Sequence, residues 1–330
     1  MRCLLSLVCV ALAHAPAVAD APITAVRILA SVDGAAATDR PVHARKDQVV
    51  MLYALVQAGG HWFTDAPHWP HARPLAKAPH ATLSWAKLEP ASANYSNEDA
   101  SGFHFTQIDY RATPIDADGA AIAADVHPTL TPDHGNGVGT MRYQISVTQG
   151  TRVISSPGAE ARRGRGSGGL TDAVMRVSIR RDDTYLGFLT EMFGQPYIWA
   201  SAGVTDASHQ SEHLEGSDCA DFVVYGQRRM GKRISYTWTG GLPGITKLVA
   251  AGTRSEDGIY RDAHGKPVPF TKPGDLVLFP RHVGVLAEDR GEKGVLDDQD
   301  LMMHTLFDSP KEQAIADSGY ADKPVEVRRF

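Results

Sequence analysis

Cysteine is the residue that this sequence has least of. The 330 residues include three cysteines, and two of them, Cys3 and Cys9, lie in an N-terminal stretch typical of a secretory signal. Cys219 is then the one thiol of the expected mature chain, which excludes an internal disulfide. Most free cysteines are small buried hydrophobic residues. The residues around Cys219 in the sequence therefore have to show whether this cysteine packs in the core or reacts.

The first 19 residues have the three parts of an export signal. Arg2 provides the positive start, an apolar run extends from Leu4 to Ala13, and a small-x-small cleavage site ends at Ala19. We therefore expect residues 1–19 to be removed and the protein to be exported, either to a periplasm or out of the cell.

The chain also lacks a second long apolar run and an excess of positive charge. No stretch after the signal approaches the ~18 apolar residues of a membrane span. The formal net charge of −5 offers no basic surface for nucleic acid. Four histidines, at positions 61, 68, 71 and 80, lie in a Pro-rich stretch whose spacing matches no zinc motif. We expect neither a membrane span nor a nucleic-acid partner, and neither a metal nor a cofactor.

A length of 330 residues suggests about two domains. Residues 141–148 and 175–180 alternate apolar and polar side chains, and residues 49–56 form a continuous apolar run. Alternation is typical of half-buried strands, and the continuous run of a strand covered on both faces. We predict an N-terminal all-β sandwich domain over residues 20–181, with a small β-barrel as the alternative, and a second domain over residues 182–330.

The second domain places Cys219 at the start of a predicted helix. Ser217 or Asp218 is a suitable N-cap, apolar residues recur four apart up to Met230, and Gly231 ends the helix. The helix dipole stabilises an anion in the first turn by up to about 2 kcal/mol. That is too little to convert a thiol fully into a thiolate at neutral pH, so a nearby imidazolium is needed.

His282 is the candidate for that imidazole. It begins a predicted strand that runs to Glu288, and a return strand over 301–306 contains His304. A turn centred near residue 293 would place His304 opposite His282, within about two residues of register. His304 would then fix the tautomer and orientation of His282, as the third member of a catalytic triad does.

Five segments in the second domain carry a resemblance to a known family. They are Gly194–Trp199 (GQPYIW), Ser217–Phe222 (SDCADF), Pro273–Phe279 (PGDLVLF), His282–Val285 (HVGV) and Met303-His304. In this order they resemble the NlpC-type cell-wall cysteine peptidases, over about residues 183–310.

The resemblance implies a fold, a site and a substrate. The fold is an α+β papain-like domain, and the triad is Cys219, His282 and His304. Tyr197 would lie in the substrate cleft, with packing beside Trp199 as the alternative. Asp218 would help to hold the amine of the substrate. Such enzymes cut amide bonds in peptidoglycan stem peptides, often between γ-D-glutamyl and a diamino acid.

One departure from the family pattern leaves the substrate open. Ala220-Asp221 stands where the family usually has Ser-Gly after the cysteine, so a hydroxyl that helps to hold the substrate amine is missing. The alternatives are an amidase or acyltransferase acting on another substrate, and a non-catalytic protein that binds the wall or a partner.

Overall fold

The computed structural model describes residues 21–117 and 119–330. The predicted signal of residues 1–19 and its cleavage site lie outside the described residues. None of the helices in the described ranges is both long enough and apolar enough to cross a membrane.

Two packed sheets form the first part of the chain. The first sheet contains β1 (Ile23–Val32), β3 (Val50–Ala58), β4 (His61–Phe63) and β10 (Ala121–Ala123). The second contains β2 (Val42–Arg45), β5 (Thr82–Pro90), β9 (Tyr110–Ile115), β11 (Gly139–Gln149), β12 (Arg152–Ser155) and β13 (Met175–Arg180). Short strands β6 (Asn94–Ser96), β7 (Glu98–Asp99) and β8 (Gly102–Phe103) lie between β5 and β9.

The side-chain pattern explains these strands. In β11 the buried Ile145 is paired with the buried Trp85 of β5, and Met141 is paired with Val177 of β13. Because successive side chains of a strand point to opposite faces, the apolar set of each strand faces the same core. The strands predicted over 141–148 and 175–180 are thereby confirmed.

The second part is built on a seven-stranded antiparallel sheet. Its order is β16 (Tyr260–Arg261), β15 (Lys247–Arg254), β21 (Val325–Arg329), β17 (Leu276–Phe279), β18 (His282–Glu288), β19 (Leu301–His304) and β20 (Lys311–Ala314). The helices are α1 (Tyr185–Leu189), α2 (Cys219–Arg229) and α3 (Leu242–Ile245), with 3-10 turns at Leu75–Lys77, Thr190–Met192, Asp206–Ser208 and Ile315–Ser318. Strand β14 (Tyr197–Trp199) pairs in parallel with β6.

The predicted fold class, a β-sandwich followed by an α+β papain-like domain, is wrong. The structure is mostly β, with 39% strand and 11% helix, and includes a curled β half-barrel. Helices stay short for local reasons. In α3, Pro243 and Gly244 are poor helix formers, and α1 gives way to a 3-10 turn after Leu189. Strands occupy much of the chain after α2.

The two parts share one hydrophobic core. Leu52 of β3, Tyr143 of β11 and Phe222 of α2 are all buried in the same cluster. The domain boundary at residues 181/182 stays a prediction, because this core runs across it.

A buried carboxylate, that of Glu191, also joins the two parts of the chain. Its fully buried carboxylate accepts hydrogen bonds from the Tyr225 hydroxyl at 2.5 Å and from Arg229 at 2.8 and 2.9 Å. It also lies 3.1 Å from Nδ1 of His43. Burial opposes ionisation of Glu191, but the bonds with His43 and Arg229 outweigh it and lower the carboxyl pKa to about 2. One carboxylate therefore ties β2 to α2.

We expect this carboxylate to make the fold sensitive to acid. The pKa of Glu191 is about 2 in the folded chain against an ordinary 4.5, so its contribution to stability is full above about pH 4.5 and is lost as the pH falls toward 2. Glu191→Gln should cost about 3–5 kcal/mol at pH 7, because it leaves buried positive charge unpaired. It should also flatten the pH dependence in this window. Urea unfolding from pH 3 to 7 measures both effects, with the exposed Glu256→Gln as control; an unchanged pH slope in Glu191→Gln would contradict the assignment.

Candidate active site

Cys219 occupies the first turn of α2. Asp218 is the N-cap, and its carboxylate accepts hydrogen bonds from the backbone N–H groups of Ala220 and Asp221, both at 2.9 Å. Of the two predicted caps, Ser217 and Asp218, the structure therefore uses Asp218. Cys219 is 5% exposed. Its own backbone N–H is one of the first-turn donors that have no intrahelical acceptor.

A tight hairpin brings His282 to this helix. Pro280 and Arg281 form a two-residue connection between β17 and β18, so that His282 is paired with Phe279. Helix α2 packs on β18, and the backbone N–H of Val283, the residue after His282, is close enough to Cys219 to lower the pKa of its thiol. The thiol therefore lies at the first residues of β18, beside His282.

His282 and His304 are in direct contact. Nε2 of His282 lies 2.8 Å from Nδ1 of His304. The strand register pairs Val285 with Met303, and its continuation places Gly284, rather than His282, opposite His304. The two imidazoles thus meet diagonally, at the two-residue limit of the predicted register.

Gly284 makes this diagonal contact possible. A Cβ atom at position 284 would lie 2.8 Å from Sδ of Met302 and 3.4 Å from Cβ of His304. Any side chain there would push against the strand that carries His304.

One nitrogen of His282 remains available for chemistry. Nε2 is engaged by His304, and Nδ1 is buried without a hydrogen-bond partner among the described residues, Cys219 included. The ring of Tyr320 stacks on His282, with 4.6 Å between centroids and 29° between planes. His304 and Tyr320 together hold the imidazole in place.

Burial keeps the resting pair neutral. It raises the pKa of the Cys219 thiol, an effect that the charge of Asp218 increases and the Val283 N–H opposes. It also lowers the pKa of His282 to about 4, and burial with the neighbouring His282 and Lys311 lowers that of His304 well below its usual range. The thiolate–imidazolium pair expected for Cys219 and His282 is thus not the favoured resting state.

The neutral pair predicts how Cys219 reacts with a small alkylating agent. Since the thiolate is the nucleophile, labelling by iodoacetamide should be slow at pH 7 and rise about tenfold per pH unit up to pH 9. Mass spectrometry of the labelled protein measures the rate. The urea-unfolded chain gives the reference profile of a free thiol, and Cys219→Ala gives the background. A rate that already reaches its plateau below pH 8 would indicate a preformed thiolate.

A buried polar network lies beside the nucleophile. The Ser201 hydroxyl donates to Oδ2 of Asp221 at 2.5 Å and accepts from the Asp218 N–H at 2.9 Å. Nδ1 of His209 accepts from the backbone N–H of Ser211 at 3.2 Å, so its Nε2 carries the hydrogen that faces Asp221 at 3.3 Å. Burial and the nearby Asp221 raise the pKa of Asp218. No spacing pattern in the sequence predicts this network.

Two cavities lie close to Cys219. One, of about 450 Å³, is lined by Asp206, Asp218 and Asp221 among other residues. The other, of about 690 Å³, which we call the tyrosine cleft, is lined by Asn94, Tyr95, Ser96, Tyr197, Trp199, Pro280, Arg281, Leu306, Phe307, Gly319, Tyr320 and Lys323.

Tyr197 lies at the inner end of the tyrosine cleft. It is 1% exposed, and its ring meets that of Phe307 edge-on at 5.4 Å. Burial and the neighbouring Cys219 raise the pKa of its hydroxyl, which places Tyr197 close to the thiol. The structure therefore brings together all five residues selected from the sequence, the other four being Asp218, Cys219, His282 and His304.

Two parts of the site were missed in the sequence. Tyr320 lies 38 positions after His282, in a segment without a strand or helix pattern. Strand β6 reaches the cleft by pairing with β14, which is about a hundred residues away in the chain. Residues 94–96 carry an Asn-Tyr-Ser motif that matches a glycosylation acceptor, and no pattern around them predicts that β6 pairs with β14.

The described residues contain no group of three or more His, Cys, Asp or Glu side chains arranged to hold a metal ion. His61, one of the four histidines of the Pro-rich stretch, is hydrogen-bonded to Arg73 at 3.1 Å. The absence of a cofactor stays a prediction.

Comparisons of the chain with protein-family models, with curated proteins and with solved structures found no match. The resemblance to NlpC-type peptidases therefore depends on the five sequence segments alone.

Proposed function

We propose that this protein is an exported cysteine hydrolase that cleaves amide bonds in peptidoglycan stem peptides. The observation that carries the proposal is the arrangement of three side chains. Cys219 begins a helix, the buried Nδ1 of His282 is unpartnered among the described residues, and His304 binds the other nitrogen of His282 at 2.8 Å. A nucleophile, a base and a third group that orients the base are what acyl transfer through a cysteine requires.

The first half of the reaction forms a thioester. Sγ of Cys219 attacks the substrate carbonyl carbon while Nδ1 of His282 takes the thiol proton. The resulting oxyanion lies at the start of α2, where the backbone N–H of Cys219 is a donor and the helix dipole is favourable. When the C–N bond breaks, His282 gives its proton to the leaving amine.

The second half hydrolyses the thioester. With the amine gone, a water molecule attacks the thioester carbonyl carbon and loses its proton to Nδ1 of His282. The C–S bond then breaks, the proton returns to the Cys219 sulfur, and the product leaves as a carboxylic acid.

The substrate class is supported by the resemblance and by the expected export signal. The acidic cavity at Asp218 suits the free amine of a stem peptide. The buried Asp221–Ser201–His209 network, however, lies where the family has Ser-Gly, and it favours the second candidate, an amidase or acyltransferase with another amine-bearing substrate.

Digestion of purified peptidoglycan tests the proposal. The mature protein should release new fragments, seen by mass spectrometry, and Cys219→Ala should lower the rate at least about 1,000-fold because the nucleophile is lost. His282→Ala should have a similar effect, whereas the exposed His80→Ala should not. Fragments released equally by Cys219→Ala would exclude Cys219 as the nucleophile. Release by no variant, including the natural sequence, would favour the second candidate.

His304 is proposed as a positioning residue, and its removal should alter the pH profile as well as the rate. In the natural protein kcat/KM should fall only below about pH 4, where His282 becomes protonated. His304→Ala should lower kcat about 10²–10⁴-fold. It should also move the acid limb upward, because water that enters beside His282 relieves the burial that depresses its pKa.

A conservative variant serves as the control for that change. His304→Asn retains a hydrogen-bond acceptor for Nε2 of His282 and should recover part of the rate. A rate loss in His304→Ala with an unmoved acid limb would indicate a purely structural role.

A further inference from the structure

Arg281 has an unusual backbone conformation next to the candidate base. It follows Pro280 in the turn before His282, and its φ is 67°. A turn with Pro at its first central position and a positive φ at its second favours glycine at that second position. A non-glycine residue held at positive φ is strained, and such strain is concentrated at functional sites. An arginine at a position that favours glycine suggests that its side chain has a function.

The Arg281 side chain has no acidic partner in the described parts of the chain. Neither Arg281 nor Lys323 forms a side-chain hydrogen bond or ion pair there, and both line the tyrosine cleft. In contrast, the carboxylate of Asp275 holds Arg329 at 2.6 and 2.7 Å. Two exposed cations without an acidic partner in the described residues therefore line the cleft, and Arg281 also lines a neighbouring cavity of about 780 Å³.

The charge of Arg281 lies near the ring that covers His282. Burial and Cys219 raise the pKa of Tyr320, and the positive charge of Arg281 opposes them, so that Arg281 is close to the Tyr320 hydroxyl. Tyr320 in turn stacks on His282. The cavity on the other side of the nucleophile is acidic, with Asp206 and Asp218 in its wall. Carboxyl groups thus line the cavity on one side of Cys219, and Arg281 and Lys323 line the cleft on the other.

We infer that Arg281 and Lys323 form a carboxylate subsite in the tyrosine cleft, which selects substrates that carry a free carboxylate near the scissile amide. The guanidinium offers a planar pair of donors that matches a carboxylate, and the ammonium of Lys323 adds a point charge. This inference rests on the proposed function for the reaction, and it adds the chemical group that the substrate must have.

Binding to an inactive protein tests the subsite separately from catalysis. We would titrate the Cys219→Ala protein calorimetrically with the synthetic peptide L-Ala-γ-D-Glu-L-Lys-D-Ala, and with the same peptide amidated at either or both carboxyl groups. The free acid should bind at least about tenfold more tightly than the fully amidated peptide, and the single amides identify the carboxylate that is bound. The preference should shrink as the salt concentration rises.

Arg281→Gly in the same background is the decisive variant, because glycine accepts the positive φ. It should raise the melting temperature, or leave it unchanged, while it reduces the acid preference about tenfold or more. Lys323→Met should reduce the preference less, since it keeps the guanidinium. The exposed Arg152→Met and Lys77→Met are matched controls that remove the same charges far from the cleft.

The outcomes separate the two proposals. Equal binding of acid and amide, or no binding of the acid, would overturn the carboxylate subsite even if the active protein digests peptidoglycan. Acid-selective binding that depends on Arg281, without any cleavage by the active protein, would support the subsite and refute the hydrolase.

Discussion

The packing of α2 against β18 is the contact on which the candidate site depends. Phe222 and Val223 of the helix and Val283 and Val285 of the strand are all buried in one core. This apolar contact sets the separation between the first turn of the helix and the first residue of the strand, where Cys219 and His282 lie. Polar bonds then refine the arrangement, through the Asp218 cap on one side and the His304 contact on the other.

The same burial that positions the two groups also determines how they would react. A thiol and an imidazole removed from water both favour their neutral forms, and the helix N-terminus does not reverse this. Charge then develops only when the proton moves between them. A neutral thiol is also less prone to oxidation than a thiolate.

The local features of the site could be predicted from the sequence. The Asp218 cap, the helix that follows it and the strand that begins at His282 each carry a short-range signal in the form of a capping residue, an apolar period or a turn. The fold class could not be predicted, because it depends on how many strands join the seven-stranded sheet of the second part of the chain. Strands β15 and β16 lie at one end of this sheet; β15 contains no buried residue, β16 spans only two residues, and neither shows a clear apolar alternation.

Contacts between residues far apart in the sequence could not be predicted either. The β6–β14 pair and the stacking of Tyr320 on His282 join residues whose own surroundings in the sequence give no sign of each other. The buried ion cluster at Glu191 combines residues from β2 and α2, and no spacing rule connects them.

The position of β21 bears on how the protein acquires its activity. Although β21 follows the other six strands of its sheet in the chain, it lies between β15 and β17, and it pairs with both of them. The sheet is therefore open through its middle until residues 325–329 insert, and the neighbour of β17 on the other side is β18, which carries His282. Such non-local pairing is slow. Assembly of Cys219 beside His282 should accordingly be a late event in folding, and a chain that is still folding would carry its thiol without a partner.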